Sequence, residues 1–184
     1  MFVYIACVRI CSGSLKGRRL VYPHSGLRPT KDITRQAIFN VLGDAVANSR
    51  VCELFAGAGG LGIEALSRGA TEVVFIEKSL KIVRYLKENV AGLENVRIIR
   101  GDVFRVVPKL TAAGFDIVFA DPPYLKGLAP ATVEIVAKYK LVRIGGWLVL
   151  EHSHAEPLPL PIDWEIVKQR IYGESSVTFY RRLK

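Results

Sequence analysis

Glycines crowd one short stretch of the chain, V-C-E-L-F-A-G-A-G-G-L-G at residues 51–62. An apolar run precedes the glycines and apolar residues in helical spacing follow them, which predicts a strand, a tight turn and a helix. Glycine tolerates positive φ and, because it has no Cβ, lets a ligand lie directly against the backbone. The helix that follows would direct free N–H groups and the positive end of its dipole toward that ligand.

Gly57, Gly59 and Gly62 satisfy the spacing G-x-G-x-x-G of nucleotide-binding turns. Glu77 ends the next apolar run, where a carboxylate would reach the ribose hydroxyls of a bound nucleoside. The pattern predicts a nucleoside-bearing cofactor. Taken alone, it does not choose between NAD and S-adenosylmethionine, and a purely structural glycine turn is the alternative.

A second stretch, F-D-I-V-F-A-D-P-P-Y at residues 115–124, places Asp121, Pro122, Pro123 and Tyr124 directly after a predicted buried strand. Consecutive prolines fix φ and remove two N–H donors, so the loop is stiff. An acceptor and an aromatic face together suit a planar, amine-bearing base. Because open α/β sheets bind ligands at the carboxyl ends of their strands, we expect this loop beside the glycine turn. A helix-capping Asp121 in an ordinary loop is the alternative.

The elements that must position both stretches alternate regularly. Strands are predicted near 51–55, 73–77, 96–100, 115–120 and 146–151, with helices near 60–68, 79–91, 103–110 and 130–142. Two further strand-like runs, 164–170 and 177–181, flank a short turn and should pair antiparallel. The predicted fold class is α/β, an open and mostly parallel sheet with right-handed crossovers and a C-terminal hairpin.

The N-terminal segment reads as a hairpin over residues 8–21 followed by a helix that Thr30 is placed to cap. The hairpin carries Arg9, Lys16, Arg18 and Arg19, while Arg28, Lys31 and Arg35 gather at the start of the helix. Cations oppose the dipole at a helix N-terminus, so this arrangement favours recruitment of an anion. We expect residues 1–48 to form a basic extension and residues 49–184 to form the main domain. A hairpin that caps a sheet edge is the alternative.

The net charge of +9 is placed at the two ends of the chain. Residues 51–164 carry thirteen basic and thirteen acidic side chains, so the whole excess lies outside them. A neutral central region flanked by basic segments predicts a polyanionic partner such as nucleic acid. A solvated basic surface without such a partner is the alternative.

Composition excludes several classes of protein. The apolar run at residues 2–8 is shorter than the roughly 20 residues that a membrane span needs, and no basic segment precedes it. Cys7, Cys11 and Cys52 are odd in number and lack the spacing of a zinc site, which favours a reducing cytoplasm without disulfides. His152 and His154 have no matching acidic partners, so we predict no metal. The short apolar run leads us to predict no membrane partner.

These motifs resemble a known family. E-L-F-A-G-A-G after the first strand and D-P-P-Y after the fourth are similar to the S-adenosylmethionine-dependent methyltransferases that modify exocyclic amines of nucleobases. The resemblance is closer to the bacterial 16S ribosomal RNA guanine-N2 methyltransferases. It covers the chain nearly end to end, through R-I-x-S-G-x-x-x-G-R-x-L at 9–20, R-P-T-x-D at 28–32, I-F-N at 38–40, F-A-G-x-G-x-L-G-x-E-A-L-S-R-G-A at 55–70 and Y-G at 172–173.

The resemblance implies a Rossmann-like class I methyltransferase fold, with a seven-stranded and mostly parallel sheet, an antiparallel C-terminal hairpin strand, and a small N-terminal β-hairpin and helix. It implies S-adenosylmethionine as cofactor and ribosomal RNA, or the assembling small ribosomal subunit, as partner. The implied reaction is methyl transfer to the N2 amine of a guanine in 16S ribosomal RNA.

The resemblance also assigns roles to residues. The implied cofactor-binding set is Glu53, Phe55, Gly57, Gly59, Glu77, Lys78, Asp102, Val103 and Asp121, and residues 121–124 would hold the target guanine. Ser79 stands where the family often has an acidic residue, and Glu53 stands where aspartate is common. Both departures leave the needed acceptor in place.

Three other functions stay open. An NAD-dependent oxidoreductase is disfavoured because the chain has only one nucleotide-binding half. D-P-P-Y also serves adenine amines, although the chain leaves no room for a separate sequence-reading domain. A non-catalytic RNA-binding protein of the same fold is the third. We further expect a monomer, and translation that starts near Val8, because residues 1–7 have no counterpart in the family pattern.

Overall fold

The computed structural model describes residues 8–23, 32–110, 114–124 and 126–184. The predicted helix cap at Thr30 and the basic residues Arg28 and Lys31 lie outside the described residues, as do the residues before Val8. None of the helices within the described ranges is long and apolar enough to cross a membrane.

Nine strands and five α-helices are described. The strands are β1 (Val8–Arg9), β2 (Arg19–Leu20), β3 (Arg50–Leu54), β4 (Glu72–Glu77), β5 (Val96–Arg100), β6 (Phe115–Ala120), β7 (Val142–Ser153), β8 (Trp164–Tyr172) and β9 (Ser175–Arg182). The α-helices are α1 (Asp32–Leu42), α2 (Gly60–Ser67), α3 (Leu80–Asn89), α4 (Val103–Val106) and α5 (Leu128–Lys138), and 3₁₀ helices occupy Gly43–Val46 and Val107–Lys109.

The predicted fold class is confirmed. Seven strands form one sheet in the order β5-β4-β3-β6-β7-β9-β8, and β1 and β2 form a separate antiparallel pair. Strands β3 to β7 pair in parallel, whereas β9 runs antiparallel to both β7 and β8. Helix α3 begins after Ser79, whose side chain caps it by accepting a hydrogen bond from the Ile82 amide.

Three predicted elements have the wrong bounds, and the helix expected over 130–142 is α5, which ends at Lys138. The helix expected over 103–110 is a single α-turn followed by a 3₁₀ helix, because Pro108 has no N–H and its ring conflicts with the carbonyl four residues earlier. Strand β7 begins at Val142 instead of 146, and its pairing with β6 shifts between Phe115 and Ile117. Gly146 lies in this irregular part, where a Cβ would be 2.7 Å from the Asp116 carbonyl oxygen.

The central parallel strands β3, β4 and β6 are buried on both faces, as expected of parallel strands, whereas the edge strand β8 is mostly exposed. One hydrophobic cluster joins β3, β4 and β6 to α2 and α3, and it includes Ile10, Leu20, Tyr22, Ile38 and Phe39 of the N-terminal segment. A second cluster on the opposite face joins the same strands to α4 and α5. The N-terminal segment therefore shares a core with the sheet.

The centre of the sheet places the two predicted functional stretches side by side. Strand β3 pairs in parallel with β4 on one side and with β6 on the other, and Leu54 is opposite Ala120. The glycine turn that follows Leu54 and the loop that follows Ala120 therefore leave the sheet from adjacent positions. A crevice at such a switch point is where open α/β sheets bind ligands.

Replacing Gly62 with alanine should destabilise the fold, because a Cβ there would lie 2.4 Å from Phe75 Cε1 and 2.8 Å from Glu53 Oε2. Overpacking of this kind costs roughly 1–3 kcal/mol of unfolding free energy, partly offset by about 1 kcal/mol from alanine's better helix propensity. Urea unfolding of G62A, F75L and the double variant measures the effect. Leucine removes the ring that the Cβ meets, so the double variant should lose less stability than the two single losses together. Strict additivity would contradict the steric explanation.

Candidate functional site

The glycine turn uses left-handed backbone conformations, which strain Phe55 but not the glycines. Phe55, Gly57 and Gly59 have φ of 54°, 56° and 85°. The Ala56 amide donates to the Ile76 carbonyl at 2.9 Å, which ties the turn to β4. At Gly59 a Cβ would come within 2.5 Å of Leu86, so only glycine fits between this turn and α3. At Gly57 the turn therefore presents backbone, and no side chain, to the crevice.

Glu53 anchors the start of α2. Its Oε2 accepts from the Gly62 amide at 2.7 Å and its Oε1 accepts from the Leu61 amide at 3.3 Å. The side chain is buried, and burial raises the pKa of Glu53 to about 8. At neutral pH this carboxyl is therefore largely protonated, although two backbone donors favour its charged form.

The proline loop presents its polar groups to the same crevice. The Tyr124 hydroxyl donates to Glu151 Oε1 at 2.7 Å, which fixes the phenol against the end of β7. Pro122 is buried, whereas the Tyr124 side chain is 36% exposed. The aromatic ring is therefore oriented by its hydroxyl and still offers a face to a ligand.

A cavity of about 580 Å³ lies between these elements. Its walls are Glu53, residues 55–58, Gly60 and Leu61 of the glycine turn, residues 121–124 of the proline loop, Glu151, and residues 172–175 of the turn between β8 and β9, with Tyr22, Thr34 and Arg35 from the N-terminal segment. The structure thus brings together the glycine turn and all four residues of the proline loop.

Carboxylates dominate the polar lining. Burial, together with the nearby carboxylates of Glu151 and Glu53, raises the pKa of Asp121 well above its usual range. Burial and the hydrogen bond to Glu151 likewise raise the pKa of Tyr124. Grouped acids that share one desolvated site resist ionising together, so the cavity favours a cationic ligand that would relieve their repulsion.

A second acidic group continues the same edge of the sheet. Glu77, at the end of β4, accepts from the Gly57 amide at 2.9 Å and from the Ser79 amide at 2.7 Å. Asp102, before α4, accepts from Lys78 at 2.9 Å, and this ion pair lowers the pKa of Asp102. Val103 is buried at the first position of α4. These predicted cofactor residues adjoin the glycine turn but do not line the cavity.

The predicted nucleic-acid residues fall into two groups. Arg9, Lys16 and Arg19 are exposed on the hairpin. Arg18 instead donates to the carbonyls of Asn89 and Ala91 at 2.8 and 2.9 Å, where a cation stabilises the C-terminal end of α3.

The prediction that Arg35 contacts a polyanion at the surface is corrected by the structure. Its side chain is 1% exposed, and its guanidinium pairs with Asp32 at 2.8 Å and lies 3.5 Å from Glu64. Asp32 and Glu64 compensate the charge that we expected to oppose the helix dipole, so Arg35 is a buried residue at the cavity wall.

Sequence reasoning did not identify Tyr22 or Thr34 as site residues, because both belong to the N-terminal segment and reach the cavity only through tertiary packing. The turn at 172–175 carried one signal, the Y-G of the family pattern. Glu151 lines the cavity, whereas His152 is buried, is not part of the cavity wall and contacts Thr178 at 2.9 Å. In the described ranges, no group of three or more histidine, cysteine, aspartate or glutamate residues could hold a metal ion.

A seven-stranded sheet with an antiparallel last pair, and a ligand crevice between β3 and β6, defines a class I methyltransferase fold. The chain belongs to the family described as Conserved hypothetical protein 95, whose model matches residues 8–181. Ribosomal RNA small subunit methyltransferase D of Escherichia coli strain K12 is 32% identical over 185 residues, which cover 95% of this chain and 90% of that relative. The predicted kinship with small-subunit ribosomal RNA methyltransferases is thereby confirmed.

Solved structures agree with this assignment. The yhhF chain of Escherichia coli matches with a TM-score of 0.88 and 30% identity, over 96% of this chain and 98% of that one. An RNA methyltransferase from Salinibacter ruber, solved with S-adenosyl-L-homocysteine, matches with a TM-score of 0.64 over 85% of this chain and 94% of that one. At 15% identity, the Salinibacter likeness concerns the fold alone.

The raised pKa of Glu53 predicts a pH-dependent stability. The pKa of the Glu53 carboxyl is about 8 in the folded chain and near 4.5 in the unfolded chain. The contribution of Glu53 to the unfolding free energy is therefore complete below pH about 4.5 and lost as the pH rises to about 8, by an amount on the order of a few kcal/mol. Urea unfolding across this range should show a smaller loss in E53Q than in the wild type. The exposed control E134Q should lose as much stability with rising pH as the wild type does. If E53Q also lost as much as the wild type, the pH dependence could not be assigned to Glu53.

Proposed function

We propose that this chain transfers a methyl group from S-adenosylmethionine to the exocyclic N2 amine of a guanine in 16S ribosomal RNA, acting as a monomer in the cytoplasm. The observation that carries the proposal is the cavity shared by the glycine turn and the proline loop, with Leu54 and Ala120 adjacent in the sheet. The relative named as a small-subunit ribosomal RNA methyltransferase supports the substrate class.

The residues present fit S-adenosylmethionine. The cavity volume of about 580 Å³ is within the range of small-molecule sites. Its acidic lining suits a ligand that carries a sulfonium and an ammonium, and the glycine backbone leaves room for the ligand beside β3. Glu53, Phe55, Gly57 and Gly59 would surround the methionine and ribose, while Glu77 with Lys78 and Asp102 with Val103 would hold the ribose and adenine. When bound, the cofactor supplies a methyl group on an activated carbon.

The protein's own part in such a transfer is alignment and charge stabilisation. Asp121 and the Pro122 carbonyl would accept hydrogen bonds from the guanine N2 hydrogens, which favours a more tetrahedral and more nucleophilic amine. Asp121 would also accept the proton that this amine loses, since a raised pKa makes its carboxylate a better base. Pro123 stiffens the loop, and Tyr124 would stack on the flipped base, a contact worth roughly 1–3 kcal/mol.

The N-terminal segment, residues 1–48, would serve as the extension that holds RNA. Arg9, Lys16 and Arg19 are exposed on one hairpin, where they can neutralise phosphates without reading sequence. The hairpin packs along α2 as far as Ser67, and Tyr22, which follows the hairpin, lines the cavity, so RNA held by the hairpin would extend toward the crevice. We retain Arg28 and Lys31 in this proposed role.

Methyl transfer from labelled S-adenosylmethionine to 16S ribosomal RNA, free and in small-subunit particles, tests the proposed reaction. Mapping the modified nucleotide should give N2-methylguanine at a defined position. Modification of adenine alone would favour the adenine-amine alternative. An absence of transfer despite RNA binding would favour a non-catalytic role.

Asp121→Ala should bind S-adenosylmethionine nearly as the wild type does and lose methyl transfer by roughly 100-fold, because the target amine loses its charged acceptor. Asp121→Asn keeps one carbonyl acceptor but has no basic carboxylate, so its transfer rate should lie between those of the wild type and the alanine variant. Single-turnover transfer and calorimetric binding measure the two effects separately. E134Q, an acid replaced far from the cavity, provides the matched control. Full transfer activity in the alanine variant would end this assignment.

Replacing Arg9, Lys16 and Arg19 together with glutamine should weaken RNA binding and reduce the slope of log affinity against log salt by about 2 to 3. A charge-matched triple replacement of Lys109, Lys138 and Lys140, three exposed lysines outside the hairpin, controls for the lowered net charge. Filter binding over a salt series distinguishes the variants. Equal losses in both triples would show that net charge, not the hairpin, governs RNA binding.

A further inference from the structure

The cavity wall carries both signs of charge. Four acids line it, Glu53, Asp121, Glu151 and Glu174, and among the described residues the one cationic side chain on the wall is Arg35. A cavity that only needed to attract a cation would not require an arginine in its wall. The mixed lining instead suits a ligand that carries both signs of charge.

Hydrogen bonds hold one side of the Arg35 guanidinium and leave its other side open. Its Nη2 donates to the Arg9 carbonyl, to Cys11 Sγ at 3.2 Å and to Asp32 Oδ1 at 2.8 Å. Its Nε is buried and lies 3.5 Å from Glu64 Oε2, whereas its Nη1 has no hydrogen-bond acceptor within the described part of the chain. A ligand that places an acceptor oxygen at Nη1 would satisfy this donor.

The open side of this guanidinium faces the start of α2. A Cβ built on Gly60 would lie 3.8 Å from Arg35 Nη1 and 3.0 Å from the Tyr22 hydroxyl, and all three residues line the cavity. The first amides of α2 add positive potential at this point. An anionic group would therefore find an arginine and a helix N-terminus at the same corner.

We propose that Arg35 binds the carboxylate of the methionine part of S-adenosylmethionine, while acids that line the same cavity take its ammonium and sulfonium. The proposal rests on the proposed function and assigns the N-terminal segment a direct part in the cofactor site. Because Asp32, Glu64 and the Arg9 carbonyl fix the guanidinium beforehand, little conformational freedom is lost when the ligand binds.

Comparing S-adenosylmethionine with its decarboxylated analogue tests this contact, since the two ligands differ in the carboxylate alone. The wild type should bind S-adenosylmethionine about 10-fold to 100-fold more tightly than the analogue. In Arg35→Gln the ratio of the two dissociation constants, measured by calorimetry, should fall close to one. Arg35→Lys keeps the charge and the pairing with Glu64, so it should fold securely and keep part of the preference.

Arg68→Gln is the matched control. Arg68 also pairs with Glu64, at 2.9 Å, but does not line the cavity. This variant disturbs the same buried network and should keep the full ligand preference. A wild-type chain that binds both ligands equally, or an Arg35→Gln variant that weakens both by the same factor, would overturn the proposal alone. A wild-type chain that binds neither ligand would overturn the proposed cofactor as well.

Discussion

The parallel pairing of β3 with β4 on one side and β6 on the other is the constraint on which the site depends. Because Leu54 is opposite both Ile76 and Ala120, the chain segments that follow these strands start from one edge of the sheet. Helix α2 then packs on one face and α5 on the other, as their separate hydrophobic clusters show. The two connections diverge, and the gap between them becomes the crevice.

The crevice has the opposite charge from the protein that contains it. The chain carries a net charge of +9, yet most of the charged side chains that line the cavity are acidic. Desolvated carboxylates in close proximity cost free energy, which the raised pKa values of Glu53 and Asp121 express. Proteins retain such a cost at sites that bind charged ligands. Here the basic exterior can attract a polyanion, while the acidic crevice can bind a cation.

The sequence predicted the fold class, the alternation of strands and helices along the chain, and the meeting of the two motifs. These features follow from local periodicity and from the handedness of crossovers. It failed where a side chain's environment is set by distant segments. Arg18 and Arg35 read as surface cations, yet one caps α3 and the other is buried against Glu64. Tyr22 gave no local signal, since its position in the cavity wall depends on packing between the N-terminal segment and α2.

Glu64 explains why the N-terminal segment cannot be treated as a detachable arm. This fully buried carboxylate accepts from the Cys11 amide at 2.7 Å, the Ser12 amide at 3.1 Å and Arg68 Nε at 2.9 Å, and it lies beside Arg35. A hairpin of two-residue strands is not stable in isolation, so these contacts with α2 hold it in place. The Glu64 carboxylate also orients Arg35, which is part of the cavity wall. A displacement of the exposed, basic hairpin would therefore alter the crevice, which couples the proposed RNA contact to the proposed cofactor site through one buried side chain.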